Sequence, residues 1–466
     1  MKKTMNQRKP TKRGVPRALE AIRPMVAGID IASREHWVCG PAREDDEPNV
    51  RVFGTTTGQL EELVNWLAEQ GVESVAMEST SVYWIPLYEL LESRGIEAVL
   101  ANARQTSNVP GRKTDFHDCQ WIQLLHSCGL LRGSFRPGPA ITAMRALHRQ
   151  LANLVEERGR CVQWMQKALD QMNVQVHRAV ADLSGTTGLA IVRAIVAGER
   201  DPGRLSALRD PRCQKSAEEI SRYLTGTWRD EHLFNLDCAL QLYDKADALI
   251  AVYETKLLNA MVCLQSEQRK DAPVPKHPNR AKQKAMVTRG DEPVRAALWR
   301  AAGVDLTRID GISVGAAKTI ATEVGLDLSA FPAEAHFVSW LRLCPCRPIS
   351  GGKLLKPKRN GLGAHRVANA LRMAAVSLHY SKTALGAAYR RIARHKGAGV
   401  AVFAMARKLA QLVYRMLRYG QDYADVGEAT YESRFQARRL AGLKESAKSM
   451  GYCLTPAPAL TAASAG

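Results

Sequence analysis

No apolar run in this 466-residue chain approaches the roughly 18 residues needed to cross a bilayer. That excludes a transmembrane helix. The N-terminus sets Lys2, Lys3, Arg8, Lys9, Lys12, Arg13 and Arg17 against Glu20 alone, and it lacks the apolar stretch of a signal peptide. A basic flexible arm over 1–24 and a cytoplasmic protein with no membrane partner are expected. The ten cysteines are scattered, with neither zinc-ligand spacing nor a disulfide framework, and read as core fillers in a reducing compartment. Internal repeats are absent. Acid is missing where it matters most: between Glu334 and Asp422 there is no Asp or Glu, against 17 Lys and Arg. The net charge is +20, so this stretch leaves only +3 for everything else. Solvated surfaces normally mix both signs. A nucleic-acid-binding segment with salt-sensitive affinity is expected there.

Four acids stand out among the residues that are present. Asp30 ends the apolar run Met25-Val26-Ala27-Gly28-Ile29, and Glu78 ends Ser74-Val75-Ala76-Met77. Asp115 and Asp118 lie three apart in Lys113-Thr114-Asp115-Phe116-His117-Asp118, a spacing that puts both on one helix face. Each acid taken singly reads as a strand-end or helix-cap residue. Their order argues otherwise. Apolar periodicity predicts strands at 25–31, 36–40, 49–53, 74–78 and 96–101, and helices at 57–69, 84–94 and 115–127. Thr56-Thr57-Gly58-Gln59 has capping-box spacing at the start of the first helix. Three strands, helix, strand, helix, strand, helix is the order of the RNase H-like fold, whose first strand, fourth strand and last helix bring such acids together. Clustered carboxylates repel unless a cation holds them, and hard ions such as Mg²⁺ take oxygen ligands. His117 points about 100° round the helix from each neighbour and is left out of the site.

Two heptad-like stretches follow, Met144 to Val176 and Leu233 to Leu264, and suggest long helices paired as a coiled coil, within the chain or between subunits, or a bundle core. The division expected is a metal-binding α/β domain over 25–138, helical material over 139–265, a basic Pro-containing linker over 266–298, a mostly helical domain over 299–425 and a tail over 426–466 that turns disordered after Leu454. Ile309-Asp310-Gly311-Ile312-Ser313-Val314-Gly315 resembles a helix-hairpin-helix turn, in which Gly311 and Gly315 let backbone N–H groups approach a phosphate. A plain helix-turn-helix connection fits equally. Arg347-Pro348-Ile349-Ser350-Gly351-Gly352-Lys353 sets a hydroxyl beside two glycines and a cation within the acid-free stretch. Lys353, Lys356, Lys358 and Arg359 are candidate phosphate contacts near Ser350, and Arg112 and Lys113 near the acids. Tyr83 and Trp84 read as core.

Taken in order, these motifs resemble the IS110 family of transposases, the bridge-RNA-guided recombinases, and its IS1111 branch in particular. The matching segments are Gly28-Ile29-Asp30-Ile31-Ala32, Met77-Glu78-Ser79-Thr80-Ser81-Val82-Tyr83-Trp84, Asn102-Ala103-Arg104, Val109 to Asp118, Ser350-Gly351-Gly352-Lys353, Ala370 to Ala375 and Lys408-Leu409-Ala410. They run from about residue 25 to about 425. The resemblance implies a RuvC-like domain whose acids, Asp30, Glu78, Asp115 and Asp118, bind Mg²⁺, and a C-terminal domain whose Ser350 attacks the DNA backbone. It also implies a non-coding guide RNA pairing with double-stranded DNA of the element and its target, and dimers that pair into tetramers. One departure is Ser81, where the family often has Gly after Glu-x-Thr. The competing readings are a RuvC-like junction nuclease in which Ser350 is only a turn residue, and a non-catalytic nucleic-acid binder.

Overall fold

The computed structural model describes residues 21–42, 47–79, 81–102, 114–344, 349–351, 353–354 and 365–455. Two compact units divide the chain, residues 1–136 and 137–466. The sequence-predicted element order of the first unit is observed. Strands β1 (Val26–Ile31), β2 (Glu35–Cys39) and β3 (Val50–Gly54) are followed by helix α1 (Thr57–Glu69), β4 (Ser74–Glu78), α2 (Trp84–Ser93), β5 (Glu97–Ala101) and α3 (Asp115–Ser127). At the start of α1, Gln59 Oε1 accepts from the Thr56 N–H at 3.4 Å and the Thr56 hydroxyl at 2.8 Å. The five strands form one mixed sheet in the order β3-β2-β1-β4-β5. β1, β4 and β5 run parallel, while β2 and β3 extend the sheet antiparallel.

Alternation along the strands gives the sheet two unlike faces. Ala27, Ile29, Val38, Phe53, Val75 and Met77 face one way and form the core with Leu60, Leu63, Leu67, Leu87 and Leu91 of α1 and α2. Gly28, Cys39, Ser74 and Ala76 face the other way, towards α3. There the helix backbone lies on the strand itself: a Cβ at Gly28 would stand 2.2 Å from the Gln123 nitrogen and 2.5 Å from the Cys119 oxygen. Glycine is therefore a spacing requirement at this position. Gly28→Ala is expected to cost about 3 kcal/mol, the upper end for overpacking, and to push α3 off the sheet. Urea unfolding of the variant measures it, and an unchanged midpoint would contradict the packing.

The second unit is helical. Two long helices, Pro139–Gln171 and Asp230–Val262, pack against each other within the chain. They run antiparallel, because the Thr227 N–H donates to the Met172 oxygen at 2.8 Å while Arg158, back along the first helix, pairs with Asp247, further along the second. The first helix passes unbroken through Arg158-Gly159, where the heptad pattern lapses. Four short helices lie between the long pair, and Cys161, Met165, Leu169, Ile191, Ile195, Leu236 and Leu240 form their shared core. The stretch read as a linker is not plain connecting chain. Helices span Arg280–Arg289 and Glu292–Ala302, and Arg295 is buried against Asp305 at 2.7 Å. Its polar composition concealed that ion pair. Helices Val314–Glu323, Glu334–Trp340, Arg366–Ser377, Ala384–Lys396, Ala398–Tyr419 and Glu428–Ser449 complete the unit. Most of the N-terminal arm and the tail beyond Thr455 lie outside the described residues. Among the described residues no helix is long and apolar enough to cross a membrane.

Three histidines set the acid limit of this fold. His126 hydrogen-bonds Ser74 Oγ at 2.8 Å in the first unit, and His148 and His365 lie in the second. Burial, with nearby cations, lowers each to about 4. Between pH 6.5 and 4 the unfolded chain therefore binds more protons than the folded one, so stability is lost as pH falls through that window. Asp30, raised to about 6, works the other way through the same window, but three rings outweigh one carboxyl, and urea midpoints measured across it are expected to drop. A flat profile would contradict the neutral buried rings.

Candidate active site

Cross-strand register assembles the acids. Ile29 pairs with Met77 between the parallel strands β1 and β4, which sets Asp30 level with Glu78 one residue further on. Asp30 lies two residues beyond Gly28, and Glu78 two beyond Ala76, so both belong to the face that α3 covers. The helix starts there. Asp115 and Asp118 occupy its first turn, where the positive end of the helix dipole favours carboxylates. One carboxylate oxygen from each of Asp30, Asp115 and Asp118 lies within 4.8 Å of the others, so these three can hold a metal ion. Glu78 stands beside that trio and feels the charge of Asp118.

The electrostatics of the cluster are unfavourable without a cation. Burial, then repulsion from Asp115, Asp118 and Glu78, raises the Asp30 carboxyl to about 6. Burial and Asp118 raise Glu78 as well. A divalent ion would relieve both penalties, and an all-oxygen set suits a hard cation. His117 is exposed and hydrogen-bonds Thr114 Oγ1 at 2.5 Å, away from this role.

The loop after Glu78 bears on the departure at Ser81. Its φ is +51°, the left-handed region that glycine adopts without strain. The turn is thus made without glycine, at a cost of about 1–2 kcal/mol. The Ser81 carbonyl accepts from the Trp84 indole at 3.1 Å. Tyr83, read as core from the sequence, is 43% exposed; it precedes the first residue of α2 and turns outward.

In the second unit, β6 (Ile349–Ser350) and β7 (Lys353–Leu354) form a hairpin in which Ser350 pairs with Lys353. Gly351, at φ +56°, supplies the left-handed residue that a two-residue turn requires. Arg112, Lys113, Lys356, Lys358 and Arg359 lie outside the described residues. Gly311 has φ +89°, and a Cβ there would stand 2.6 Å from the Ala374 oxygen. Close packing on the Arg366–Ser377 helix thus accounts for that glycine. Gly315 is exposed in the first turn of the next helix, which Ser313 caps through the Ala316 N–H at 3.2 Å.

Two carboxylates in this unit escaped the sequence reading. Burial raises Asp310, but hydrogen bonds from Ser381 and from Thr383 at 2.8 Å, with Lys282 at 3.0 Å, outweigh it and keep the group low. Glu323 is buried and takes Arg149 through two bonds, at 3.0 and 2.7 Å, with Arg145 and Arg366 close by. It ties the first long helix to its own helix, Val314–Glu323, and to Arg366–Ser377. Nothing in the local pattern of either acid announces such a joint.

Clustered acids on a mixed sheet, together with a basic helical unit, fit the class of protein that transfers phosphoryl groups on nucleic acid. The family comparisons agree on class. Residues 27–174 match a family model described as a transposase, of the DEDD IS110 type, and residues 304–390 match one described as a transposase of the IS116/IS110/IS902 family. In that order along one chain, the two matches support the IS110 family of transposases. No curated protein matches the chain.

Proposed function

We propose that this IS110-type transposase belongs to the IS1111 branch and mobilises an insertion sequence by cutting and rejoining double-stranded DNA, guided by a non-coding RNA. The observation that carries the reading is the convergence of Asp30, Asp115 and Asp118 within 4.8 Å, with Glu78 level on the next strand. The four acids stand in the order D, E, D, D, on an RNase H-like arrangement of strands. In this reading they hold Mg²⁺, which when bound supplies Lewis-acid charge to the phosphate oxygens. Ser350 Oγ attacks the phosphorus, a DNA oxygen leaves and takes up a proton, and the phosphodiester becomes a phosphoserine ester. Attack by a DNA hydroxyl reverses the step on a new partner, so the bond energy is kept without ATP. Lys353, Lys356, Lys358 and Arg359 neutralise phosphates near the serine, Arg112 and Lys113 do so near the acids, and the exposed Gly315 turn offers backbone N–H groups. Sequence choice rests on base pairing with the RNA, and the working assembly is a dimer or tetramer joined partly through the paired long helices as a coiled coil.

The test supplies the full chain with DNA bearing the element's ends, a target duplex, RNA transcribed from the sequence flanking the gene, and Mg²⁺. Joined donor–target products that need both the RNA and the ion are expected. Nicked DNA without joints would point to a nuclease, and binding without breakage to a passive binder.

A further inference from the structure

The carboxylate row has an aromatic neighbour that the sequence pattern does not single out. Trp37 on β2 pairs directly with Asp30 on β1, so the row across the sheet reads Trp37, Asp30, Glu78. Residues opposite one another in an antiparallel pair share a face with Cβ atoms about 5 Å apart. Trp37 therefore stands on the α3 side, beside the acid. The helix contributes a second ring: Phe116, next to Asp115, meets the indole edge-on, with centroids 6.3 Å apart and planes at 88°. The Trp37 N–H donates to Glu35 Oε1 at 3.0 Å, which fixes the rotation of the indole. Neither ring is buried; each keeps part of its surface open to solvent. Partial exposure is ordinary for a tryptophan; it is the place of the two rings beside the acids that sets them apart. These two are partly exposed and border the only trio of acids among the described residues whose oxygens meet closely enough to hold an ion.

We propose that Trp37, braced by Phe116, is a stacking platform for a nucleobase of the polynucleotide strand whose phosphate is brought to Asp30, Asp115 and Asp118. The inference rests on reading those acids as a metal centre for nucleic acid. Every base has a π-face, so such a platform accepts any sequence. That suits an enzyme whose sequence choice is made elsewhere, by pairing. Trp37 is thus a positioning residue: it sets where the strand lies, and the acids set what happens to it. Its removal is expected to weaken binding about tenfold, the scale of losing one stacked base.

Photocrosslinking tests it. The full chain is irradiated with single-stranded DNA of mixed sequence carrying 5-iodouracil, with Ca²⁺ present to permit binding without turnover, and the labelled peptides are mapped by mass spectrometry. Labelling at Trp37 or Phe116 is expected. Trp37→Ala should remove the label at this wall, and Trp37→Phe should restore part of it, which a purely structural loss would not do. Labels confined to other parts of the chain, or no label with DNA bound, would overturn the platform. A Mn²⁺ titration of the unmutated chain and of Asp30→Asn keeps the two readings apart. If Asp30→Asn binds the ion as well as the unmutated chain, the metal centre itself fails. If only the unmutated chain binds it and Trp37 stays unlabelled, the platform alone fails.

Discussion

Asp30→Asn is expected to abolish metal-dependent strand breakage and, in metal-free buffer near neutral pH, to make the first unit more stable than the unmutated chain. The two effects share a cause. Asp30 is raised to about 6 by burial and by three neighbouring carboxylates. Between its unfolded value, near 3.8, and that folded value, the folded chain holds the extra proton, so stability falls as pH rises through the window. By neutrality the ionised cluster costs on the order of 1–2 kcal/mol, discounted for partial exposure. Asparagine keeps the shape and removes the charge. Its melting temperature without metal should therefore rise by a few degrees. Metal should act oppositely on the two proteins. An ion at about a hundred times its Kd adds about 2.7 kcal/mol to a chain that binds it, so the unmutated protein gains and the variant does not. Activity should fall by more than the ~10–100-fold that outer-shell partners of a metal cost. Thermal melts with and without Mn²⁺, alongside a cleavage assay, separate the outcomes. A variant less stable than the parent in metal-free buffer would show that Asp30 is a structural acid and not a ligand waiting for its ion.

The grouping of Asp30 with Asp115 and Asp118 was legible because each of these acids closes an apolar run or opens an amphipathic one, and such punctuation is local. Strand and helix bounds followed for the same reason: a five-residue run such as Ser74–Glu78 carries its own period. What stayed hidden depends on partners distant in the chain. Gly28 looks like any strand glycine until α3, nearly a hundred residues later, is laid across it. Trp37 gains meaning only from its register with Asp30, which no property of 35–39 announces. The buried ion pair of Arg295 with Asp305 passed as basic linker because composition reports charge and not burial. Glu323 likewise needs three helices in place before its arginines converge. The serine hairpin is an intermediate case. Two glycines predicted the turn, and the pairing of Ser350 with Lys353 agrees, but the hydroxyl's chemistry is not written in either.

Ser350→Ala is expected to remove every denaturation-resistant protein–DNA adduct and every joined product while leaving the fold intact. The position closes a two-residue hairpin whose conformation is set by Gly351, so losing the oxygen should shift unfolding by no more than about 1 kcal/mol, the scale of one hydrogen bond. Catalysis is a different matter. A serine that stores the strand covalently cannot be bypassed by water without losing the bond energy that resealing needs. Removal of a covalent nucleophile elsewhere costs on the order of 10⁶-fold. The loss should therefore be complete on any practical scale, and metal binding at the acids should be unaffected. The informative measurement is a denaturing gel of 5′- and 3′-labelled DNA after reaction with each protein. A slow-migrating labelled species with the unmutated chain, absent from Ser350→Ala, is the expected pattern, and the label that persists identifies which DNA end is held. Joined products from the alanine variant, with no adduct from its parent, would leave the acids to act alone by direct hydroxyl attack and reduce the Ser-Gly-Gly hairpin to a turn.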